Sequence, residues 1–380
     1  MRFAQYPPEP AQQKREPLSC SFEDMVHEKL RALGWDADWA AIFEGADSPT
    51  GQPARVTAQH RDRWTVHCEV GSRLARVVRS GLHELRPVTG DWVVCEPGPH
   101  QSDPWSLLSV LPRRSAVCRG SAGDSPSEQV LAANVDRLWI VQSLETDPNL
   151  RSLERYLAVA WESGASPEIV LTKSDLAEDL EAATGLVDTV AFGTPVRVVS
   201  VEAPNGLDAL RDSLALGQTI ALLGPSGAGK STLINHLAGS EVALTGEVRS
   251  GDRKGRHTTT TRELFPIHDG ALLLDTPGMR ELKVLDLEVG LGQAFPEIDE
   301  LSERCRFRDC SHSSEPGCAV LAAEAEGRLD ADRLASYRKL EAEAAYERRR
   351  VDPQAQAEYV AEWKTAMRTL KHHPKYRGRR

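Results

Sequence analysis

A glycine-rich loop at residues 224–232 constrains the fold of this chain more than any other stretch. Its sequence, GPSGAGKST, fits the pattern of Gly, four residues, Gly, Lys and Ser/Thr. A buried-strand pattern at 219–223 precedes the loop, and a helical pattern at 230–237 follows it. Glycines let backbone N–H groups surround a phosphate, and a helix N-terminus adds partial positive charge. The stretch therefore predicts a phosphate-binding loop, and this context disfavours the alternative of a simple glycine-rich turn.

The residue types in the loop suggest specific roles. Lys230 is predicted to contact the β- and γ-phosphates, and the Ser231 hydroxyl is predicted to bind Mg²⁺. The candidate nucleotide-binding residues of the loop are Gly224, Pro225, Ser226, Gly227, Ala228, Gly229, Lys230, Ser231 and Thr232.

The tetrapeptide Thr172, Lys173, Ser174 and Asp175 follows a second predicted strand at 168–171. A carboxylate at Asp175 can accept hydrogen bonds from guanine N1–H and the 2-amino group, whereas adenine offers neither. Lys173 is predicted to lie over the plane of the base. A helix cap is the ordinary alternative for such a tetrapeptide, and an ATPase is the alternative function. Ser200, in a predicted strand at 197–201, is a further candidate GTP-binding residue.

Two segments after the loop complete a candidate nucleotide site. Asp275 ends a predicted strand and begins the sequence DTPG, so it is expected to hold Mg²⁺ through a water, with the Gly278 N–H facing the γ-phosphate. The polar stretch at 255–261 is expected to supply Thr259 to Mg²⁺ and the γ-phosphate, with Thr258 and Thr260 as alternatives. A β-prone strand is the ordinary explanation of its four threonines.

The order of these segments is unusual. In ordinary GTPases the guanine-recognition motif follows the phosphate loop and the DxxG motif, whereas here it precedes both. Because sheet packing depends on spatial contacts, a sheet can be opened elsewhere if its former ends are bridged. We therefore predict a circularly permuted GTPase domain, bridged by a helix at 207–216 followed by Gly217.

Short β-type runs replace this pattern in the N-terminal third. They lie at 54–58, 64–70, 74–78, 91–95 and 105–111, and this near-regular spacing predicts a small OB-fold barrel. Six arginines would suit a phosphate backbone, although a solvated strand face is the alternative. They are Arg55, Arg61, Arg63, Arg73, Arg76 and Arg79.

Cys305, Cys310, His312 and Cys318 form the pattern C-x4-C-x-H-x5-C. Three thiolates and one imidazole make a closed tetrahedral set, so we predict one structural Zn²⁺, with unliganded cysteines as the alternative. The chain has seven cysteines, an odd number that argues against a disulfide framework.

Length and charge limit the remaining possibilities. A chain of 380 residues is long enough for two or three domains, and no apolar run approaches the ~18 residues of a membrane span. We expect a cytoplasmic monomer without membrane contact. The formal net charge of the chain is −10, but residues 364–380 are basic, because they contain seven Lys and Arg residues and no Asp or Glu. Nucleic-acid contacts must therefore use local patches, and this basic tail is either an RNA-binding arm or merely solubilising.

Together these motifs resemble the small ribosomal subunit biogenesis GTPase family (RsgA, also YjeQ or EngC). The matching segments are EQVLAANVD at 128–136, TKSD, GPSGAGKST, GRHTTT, DTPG and CRFRDCSHSSEPGCAV at 305–320, within a likeness that spans about residues 53–340. The resemblance implies a multidomain α/β protein with an OB-fold barrel, a permuted P-loop GTPase domain and a zinc-binding helical domain. It also implies binding to the 30S subunit and its 16S rRNA late in maturation, with Mg²⁺-dependent, ribosome-stimulated hydrolysis of GTP to GDP. A placeholder that binds rRNA in its GTP form is the alternative role.

The chain departs from that family in its guanine-recognition segment, and roughly the first 50 and the last 25 residues fit the shared pattern poorly. Thr172 replaces the usual asparagine, which predicts a lower affinity for the base. Met279 and Arg280 follow Gly278, and neither is an obvious water-orienting group, so His257 is the candidate that positions the attacking water. A contact between His257 and rRNA is the rival role. The predicted divisions are an N-terminal extension at 1–52, the barrel at 53–117, a linker at 118–128, the GTPase domain at 129–284, the zinc domain at 285–350 and the tail at 351–380.

Overall fold

The computed structural model describes residues 28–46, 48, 50–77, 86–100, 103–120, 128–240, 263–275 and 287–372. Five strands near the N-terminus form a closed barrel: β1 (Gln52–Gln59), β2 (Trp64–Cys68), β3 (Gly71–Val77), β4 (Trp92–Glu96) and β5 (Trp105–Val110). β1 pairs with both β2 and β4, and β3 runs parallel to β5, which closes the ring. Alternate side chains such as Ala54, Val56 and Val66 fill its interior. The predicted OB-like barrel is confirmed.

The segment before the barrel packs on its outer surface. Helix α1 (Ala37–Glu44) begins at Asp36, whose carboxylate accepts a hydrogen bond from Trp39 N at 2.9 Å. Trp35 meets Trp92 of β4 edge-on, with ring centroids 4.7 Å apart, and Trp39 is buried beside them. Part of the predicted N-terminal extension is therefore a structured element of the barrel.

Six further strands continue the sheet beyond the barrel and form a layer whose two faces are both covered; we call this layer the main sheet. They are β8 (Arg137–Ser143), β9 (Ser166–Thr172), β10 (Val196–Val198), β11 (Thr219–Leu223), β12 (Glu263–Pro266) and β13 (Leu272–Asp275), in the spatial order β10-β9-β8-β11-β13-β12. All are parallel to their neighbours except β12, which also pairs with β1 of the barrel at Ala58↔Glu263. Leu138 and Ile140 of β8 face one hydrophobic core, and Trp139 and Val141 face the other. Burial on both faces explains the continuous apolar runs of these strands.

Helices cover the two faces: α2 (Leu150–Glu162), α3 (Leu180–Ala191), α4 (Asp208–Arg211) and α5 (Lys230–Ala238). The predicted bridging helix at 207–216 is wrong in length, because only Asp208–Arg211 is helical. The Ser213 hydroxyl donates to the Leu210 carbonyl at 2.7 Å, and the segment ends at Gly217, whose φ is +73°. The short connection still joins β10 to β11.

The predicted linker at 118–128 also differs from the structure at both ends. Residues 118–120 belong to β6 (Ala116–Gly120), and Glu128 begins β7 (Glu128–Ala133). The two strands pair antiparallel, with Ala116 opposite Ala133. The connection between the barrel and the main sheet is therefore a β-ribbon on either side of residues 121–127, which lie outside the described part of the chain.

In the described residues after the sheet there are five helices: α6 (Glu288–Ala294), α7 (Pro296–Ser302), α8 (Ala319–Ala325), α9 (Ala331–Val351) and α10 (Pro353–His372). We call residues 287–351 the C-terminal unit. Gly290 of α6 lies so close to α2 that a Cβ there would be 2.1 Å from the Ala158 carbonyl oxygen. Residues 353–372, predicted as part of a basic tail, are helical instead. Among the described helices, none has both the length and the apolar character needed to cross a bilayer.

A buried ion-pair cluster fastens the C-terminal unit to α2. The Arg333 guanidinium donates to Glu154 Oε1 at 2.7 Å, to Glu297 Oε1 at 2.6 Å and to the Ala294 carbonyl at 2.6 Å. The Ser336 hydroxyl donates to the other oxygen of Glu154. Arg333 also stacks on Phe295, 4.2 Å from its ring centroid. Each charged group therefore has partners that offset the cost of its burial.

Arg333→Met is expected to lower the free energy of unfolding by about 3 kcal/mol, because it leaves the buried Glu154 carboxylate without its counter-ion. Urea unfolding followed by circular dichroism measures the change. Arg328→Met is the matched control, since Arg328 pairs with Glu326 on the surface and should shift stability by no more than about 0.5 kcal/mol. Equal effects of the two substitutions would contradict a fastening role for Arg333.

Candidate nucleotide-binding site and metal centre

The glycine-rich loop leaves the carboxyl end of β11 and enters α5, in the order that the sequence predicts. Gly224 has φ +144°, and a Cβ at this position would lie 2.2 Å from the Val141 carbonyl oxygen of β8. Gly229 has φ +85° and precedes the first helical residue, Lys230. Both positions therefore require glycine, one for close approach and one for conformation. Pro225, Ser226 and Gly227 are exposed at the tip of the loop.

Lys230 lies across the mouth of this loop. Its Nζ donates to the Gly224 carbonyl at 2.7 Å and to the Pro225 carbonyl at 2.6 Å. Ser231 and Thr232 follow in the first turn of α5, where backbone N–H groups have no partner within the helix. The loop thus combines an ammonium group, a helix N-terminus and hydroxyls at one place, which is a suitable arrangement for a polyphosphate.

Thr172 connects the guanine-recognition segment to the loop. It ends β9, and its hydroxyl donates to the Ala228 carbonyl at 2.7 Å, with the Gln142 carbonyl 3.3 Å away. A Cβ at Gly229 would lie 3.3 Å from the same hydroxyl. The threonine that replaces the usual asparagine therefore makes a direct hydrogen bond to the phosphate loop.

Neighbouring side chains orient Lys173 and Asp175. Lys173 has φ +57°, and its ammonium forms an ion pair with Glu145, the second residue after β8. This ammonium is the main cause that lowers the pKa of the Glu145 carboxyl. The buried Ser200 hydroxyl donates to Asp175 Oδ1, while Ser174 N donates to the Val199 carbonyl at 3.3 Å. The exposed Asp175 carboxylate is thus held in one orientation from the β10 side.

These segments enclose a cavity of about 290 Å³ at the carboxyl edge of the sheet. Asp175 and Lys173 line one wall, Gly229 and Thr232 line another, and Val199 and Leu233 add apolar surface. Ligand pockets of this kind occur where strand order reverses in parallel sheets. The structure therefore brings residues 172–175 and the phosphate loop together around one space, although 50 or so residues separate them in the sequence.

For the other predicted site residues the structure describes only the position of Asp275 in its strand. Asp275 is the last residue of β13, next to β11, so it ends at the same edge of the sheet as the loop. His257, Thr258, Thr259, Thr260 and Gly278 lie outside the described residues. Sequence analysis missed Glu145 and Leu233 as lining residues. The position of Glu145 just after a strand of the parallel sheet was the available signal.

Thr172→Val is expected to weaken GDP binding about 5-fold, because the buried Ala228 carbonyl loses its donor at a cost of about 1 kcal/mol. Titration with a fluorescent GDP analogue measures this change. Thr184→Val is the control, since Thr184 also donates to backbone carbonyls but lies on the exposed face of α3. An unchanged affinity in Thr172→Val would contradict a link between Thr172 and the nucleotide.

The three cysteines and one histidine near the C-terminus come together as predicted, with their ligand atoms within 4.8 Å of one another. Cys305 Sγ lies 3.9 Å from Cys318 Sγ, and His312 Nδ1 lies 3.6 and 3.5 Å from these two sulfurs. Ligand atoms in a tetrahedral zinc site, with bonds of about 2.3 Å to sulfur, are separated by about 3.8 Å. Burial lowers the pKa of His312, which favours the neutral imidazole that binds metals. The donor set and its spacing therefore fit a structural Zn²⁺.

Backbone interactions hold the ligand loop in shape. Cys318 is the N-cap residue of α8, and its Sγ accepts a hydrogen bond from Leu321 N at 3.4 Å. Ala319 N donates to Cys305 Sγ at 3.4 Å, and Glu315 accepts hydrogen bonds from Ser313 N and Ser314 N at 2.9 and 3.0 Å. N–H donors to thiolates are a common feature around structural zinc sites, where they orient the ligands.

Comparisons with known proteins agree with this geometry. The model of the RsgA GTPase family matches residues 110–285. The small ribosomal subunit biogenesis GTPase RsgA of Opitutus terrae is 44% identical over 337 residues, covering 85% of this chain and 92% of that protein. The protein of the same description from Streptomyces avermitilis is 44% identical, covering 91% of this chain and 94% of its own.

Two solved structures share the fold. The crystal structure of YjeQ from Thermotoga maritima superposes with a TM-score of 0.56 at 24% identity, covering 77% of this chain and 98% of its own. The structure of YloQ, described as a circularly permuted GTPase, gives a TM-score of 0.55 at 24% identity, covering 79% and 96%. The fold of this chain is thus shared with solved structures, one of which is described as a circularly permuted GTPase.

Proposed function

The chain belongs to the RsgA family of GTPases, and on this premise we propose that it binds the small ribosomal subunit and hydrolyses GTP to GDP and phosphate late in the maturation of that subunit. Relatives described as small ribosomal subunit biogenesis GTPases match this chain over 92–94% of their own length. We further propose that contact with the 30S particle stimulates hydrolysis and that hydrolysis times release. We also propose a division into an N-terminal extension, the barrel, a linker bounded by β6 and β7, the GTPase domain, the zinc domain and a tail whose residues 353–372 are helical.

One observation carries the nucleotide assignment: Asp175 and the phosphate loop line the same cavity of about 290 Å³. In the proposed complex the Asp175 carboxylate accepts hydrogen bonds from guanine N1–H and the 2-amino group, while Ser200 keeps the carboxylate in position. Lys173, held by Glu145, lies along the base. An unpaired carboxylate beside adenine would disfavour ATP.

The phosphates extend from the cavity toward the glycine-rich loop. Backbone N–H groups of Gly227, Gly229 and Lys230 are the proposed donors, and the Lys230 ammonium exchanges its carbonyl partners for β- and γ-phosphate oxygens. Ser231 and Thr259 are the proposed ligands of Mg²⁺, and Asp275 contacts it through a water. Hydroxyl and carboxylate oxygens are the donors this ion prefers. When bound, Mg²⁺ supplies neutralisation of phosphate charge.

Hydrolysis requires a group that orients the attacking water. We propose His257 for this role, because Met279 and Arg280 after Gly278 offer no comparable group. The imidazole nitrogen of a neutral histidine can accept a hydrogen bond from a water molecule and so orient the water oxygen toward the γ-phosphate. The free enzyme is expected to be slow, because Met279 and Arg280 supply no group like the water-orienting glutamine of Ras-like enzymes.

Turnover measured with and without 30S subunits tests this proposal. We expect 30S subunits to raise kcat at least about 10-fold, which corresponds to about 1.4 kcal/mol of the activation barrier. His257→Ala should remove most of the stimulated rate and leave GDP affinity unchanged. Lys230→Ala is the control that removes turnover in both conditions, because it disables the phosphate contacts.

Two results would contradict the proposal. An equal rate with and without 30S subunits would remove the ribosome from the mechanism. Normal stimulated turnover in His257→Ala would assign the water to another group and favour an rRNA contact for His257. We further propose that exposed basic residues contact 16S rRNA and that the chain holds one structural Zn²⁺. We also propose that the protein is a monomer located in the cytoplasm.

A further inference from the structure

A second and larger cavity, of about 770 Å³, lies where three parts of the chain meet. Its walls come from residues 31–39 before and within α1, from Arg55 and Trp92 of the barrel, and from residues around the starts of β8, β9 and β11. Since those three strands are parallel, their starts lie at the edge of the sheet opposite the nucleotide cavity. The space therefore belongs to a different site from the one proposed for GTP.

The wall of this cavity contains a buried cation, Arg55, which is only 2% exposed. Its guanidinium donates to the carbonyls of Gly90 at 3.3 Å, Asn134 at 3.0 Å and Leu33. Among the described residues, no carboxylate forms an ion pair with it. Burial lowers the pKa of Arg55 to about 10, which reflects the cost of keeping this charge away from water. The prediction that Arg55 belongs to an exposed RNA-binding face is therefore wrong, and its charge lacks a direct counter-ion in the described chain.

The other polar groups around the cavity also suit an anion. The lining contains four arginines, Arg31, Arg55, Arg114 and Arg137, against two aspartates, Asp36 and Asp136. Arg114 and Asp36 neutralise each other through two hydrogen bonds of 2.5 and 2.6 Å. Arg137 is paired in turn with the buried Glu168, 3.4 Å away. Arg31 and Arg55 therefore remain against one carboxylate, Asp136, and the wall keeps an excess of one positive charge.

We propose that this cavity is a binding site for a small molecule carrying a phosphate monoester, held by Arg55 and Arg31. A phosphate monoester carries a charge of about −1.5 to −2 at neutral pH and offers three acceptor oxygens. Arginine guanidinium groups match such oxygens well. The volume lies within the range of small-molecule sites. A nucleic-acid backbone is the less suitable occupant, because polymer phosphates are contacted from exposed arginines, whereas Arg55 and Trp92 lie deep in the wall.

Equilibrium dialysis of the full chain against radioactive orthophosphate, with GDP at saturation to fill the nucleotide site, tests the proposal. We expect one orthophosphate per wild-type chain. Arg55→Met should weaken that binding at least 10-fold. Arg31→Gln should weaken it several-fold without changing the unfolding midpoint, because Arg31 is exposed, and this variant decides the question if Arg55→Met does not fold. Arg63→Gln, an exposed barrel arginine outside the cavity, should bind orthophosphate as the wild type does.

Several outcomes would overturn the proposal. No saturable orthophosphate binding in the presence of GDP would refute it, and so would binding that Arg55→Met, when folded, and Arg31→Gln both leave unchanged. Loss of the bound ion in Lys230→Ala, measured under the same conditions, would assign it to the glycine-rich loop. Binding of a single-stranded RNA oligonucleotide that depends on Arg55 and Arg31, without orthophosphate binding, would assign the cavity to nucleic acid instead.

Discussion

Asp175→Asn is expected to weaken GDP binding about 1,000-fold and to give xanthosine diphosphate a higher affinity than GDP. The carboxylate is proposed to accept two charge-assisted hydrogen bonds from guanine, each worth about 1.5–3 kcal/mol. An amide at this position offers one acceptor and turns N–H donors toward the 2-amino group. Xanthine carries an oxygen at that carbon, which complements the amide. Titration calorimetry with GDP, ADP and xanthosine diphosphate measures all three affinities.

Asp179→Asn is the matched control for this substitution. Asp179 lies four residues further along, where its carboxylate caps α3 by accepting a hydrogen bond from Ala182 N at 2.9 Å. Asparagine caps helices as well as aspartate does, so GDP affinity should change less than about 2-fold. If Asp175→Asn binds GDP within a few-fold of the wild type, the base is recognised elsewhere. Effective competition by ADP would then favour a nucleic-acid ATPase.

Cys318→Ser is expected to reduce the zinc content from one ion per chain to almost none and to loosen the C-terminal unit. Serine retains the capping of α8, because its hydroxyl can accept from the helix N–H groups as the thiol does. The loss is therefore confined to a thiolate ligand. Structural zinc sites contribute about 10–16 kcal/mol in small domains, so we expect the unit to lose at least about 5 kcal/mol. Elemental analysis and hydrogen exchange within Ala319–Ala325 report the two effects.

Cys118→Ser is the control for the zinc experiment. Cys118 lies in β6, outside the cluster, so its replacement should leave the zinc content unchanged. Wild-type protein that contains no zinc after expression in zinc-supplied medium would contradict the site. Retention of one ion in Cys318→Ser would show that the metal uses another ligand set.

The features predicted correctly from the sequence depend on local patterns. Gly224 must be glycine because the backbone of β8 approaches it closely, and Gly229 because its φ is positive. Both constraints arise within a few residues of the loop. The spacing of the cysteines and His312 follows from the small radius of a metal site. The alternation of apolar residues in β2 follows from strand geometry, since Trp64, Val66 and Cys68 face the barrel core.

The features that the sequence did not predict depend on contacts between distant segments. Arg55 resembled its exposed neighbours in the sequence, but its guanidinium is enclosed by carbonyls from residues 33, 90 and 134. The predicted helix at 207–216 is too long, since only Asp208–Arg211 is helical and Leu216 is 64% exposed. Glu145 carries no motif of its own, and only the pairing of β8 with β9 brings it to Lys173. Such placements need the folded topology.

The pairing of β1 with β12 has a consequence for the colloidal behaviour of the protein. An open sheet has two outer strands whose free amides and carbonyls can template self-association. At one end of the main sheet, β10 is only three residues long and offers little for another chain to extend. At the other end the barrel occupies the outer position beside β12. A chain lacking its barrel would expose that strand, so its solubility would fall even if its nucleotide chemistry were intact.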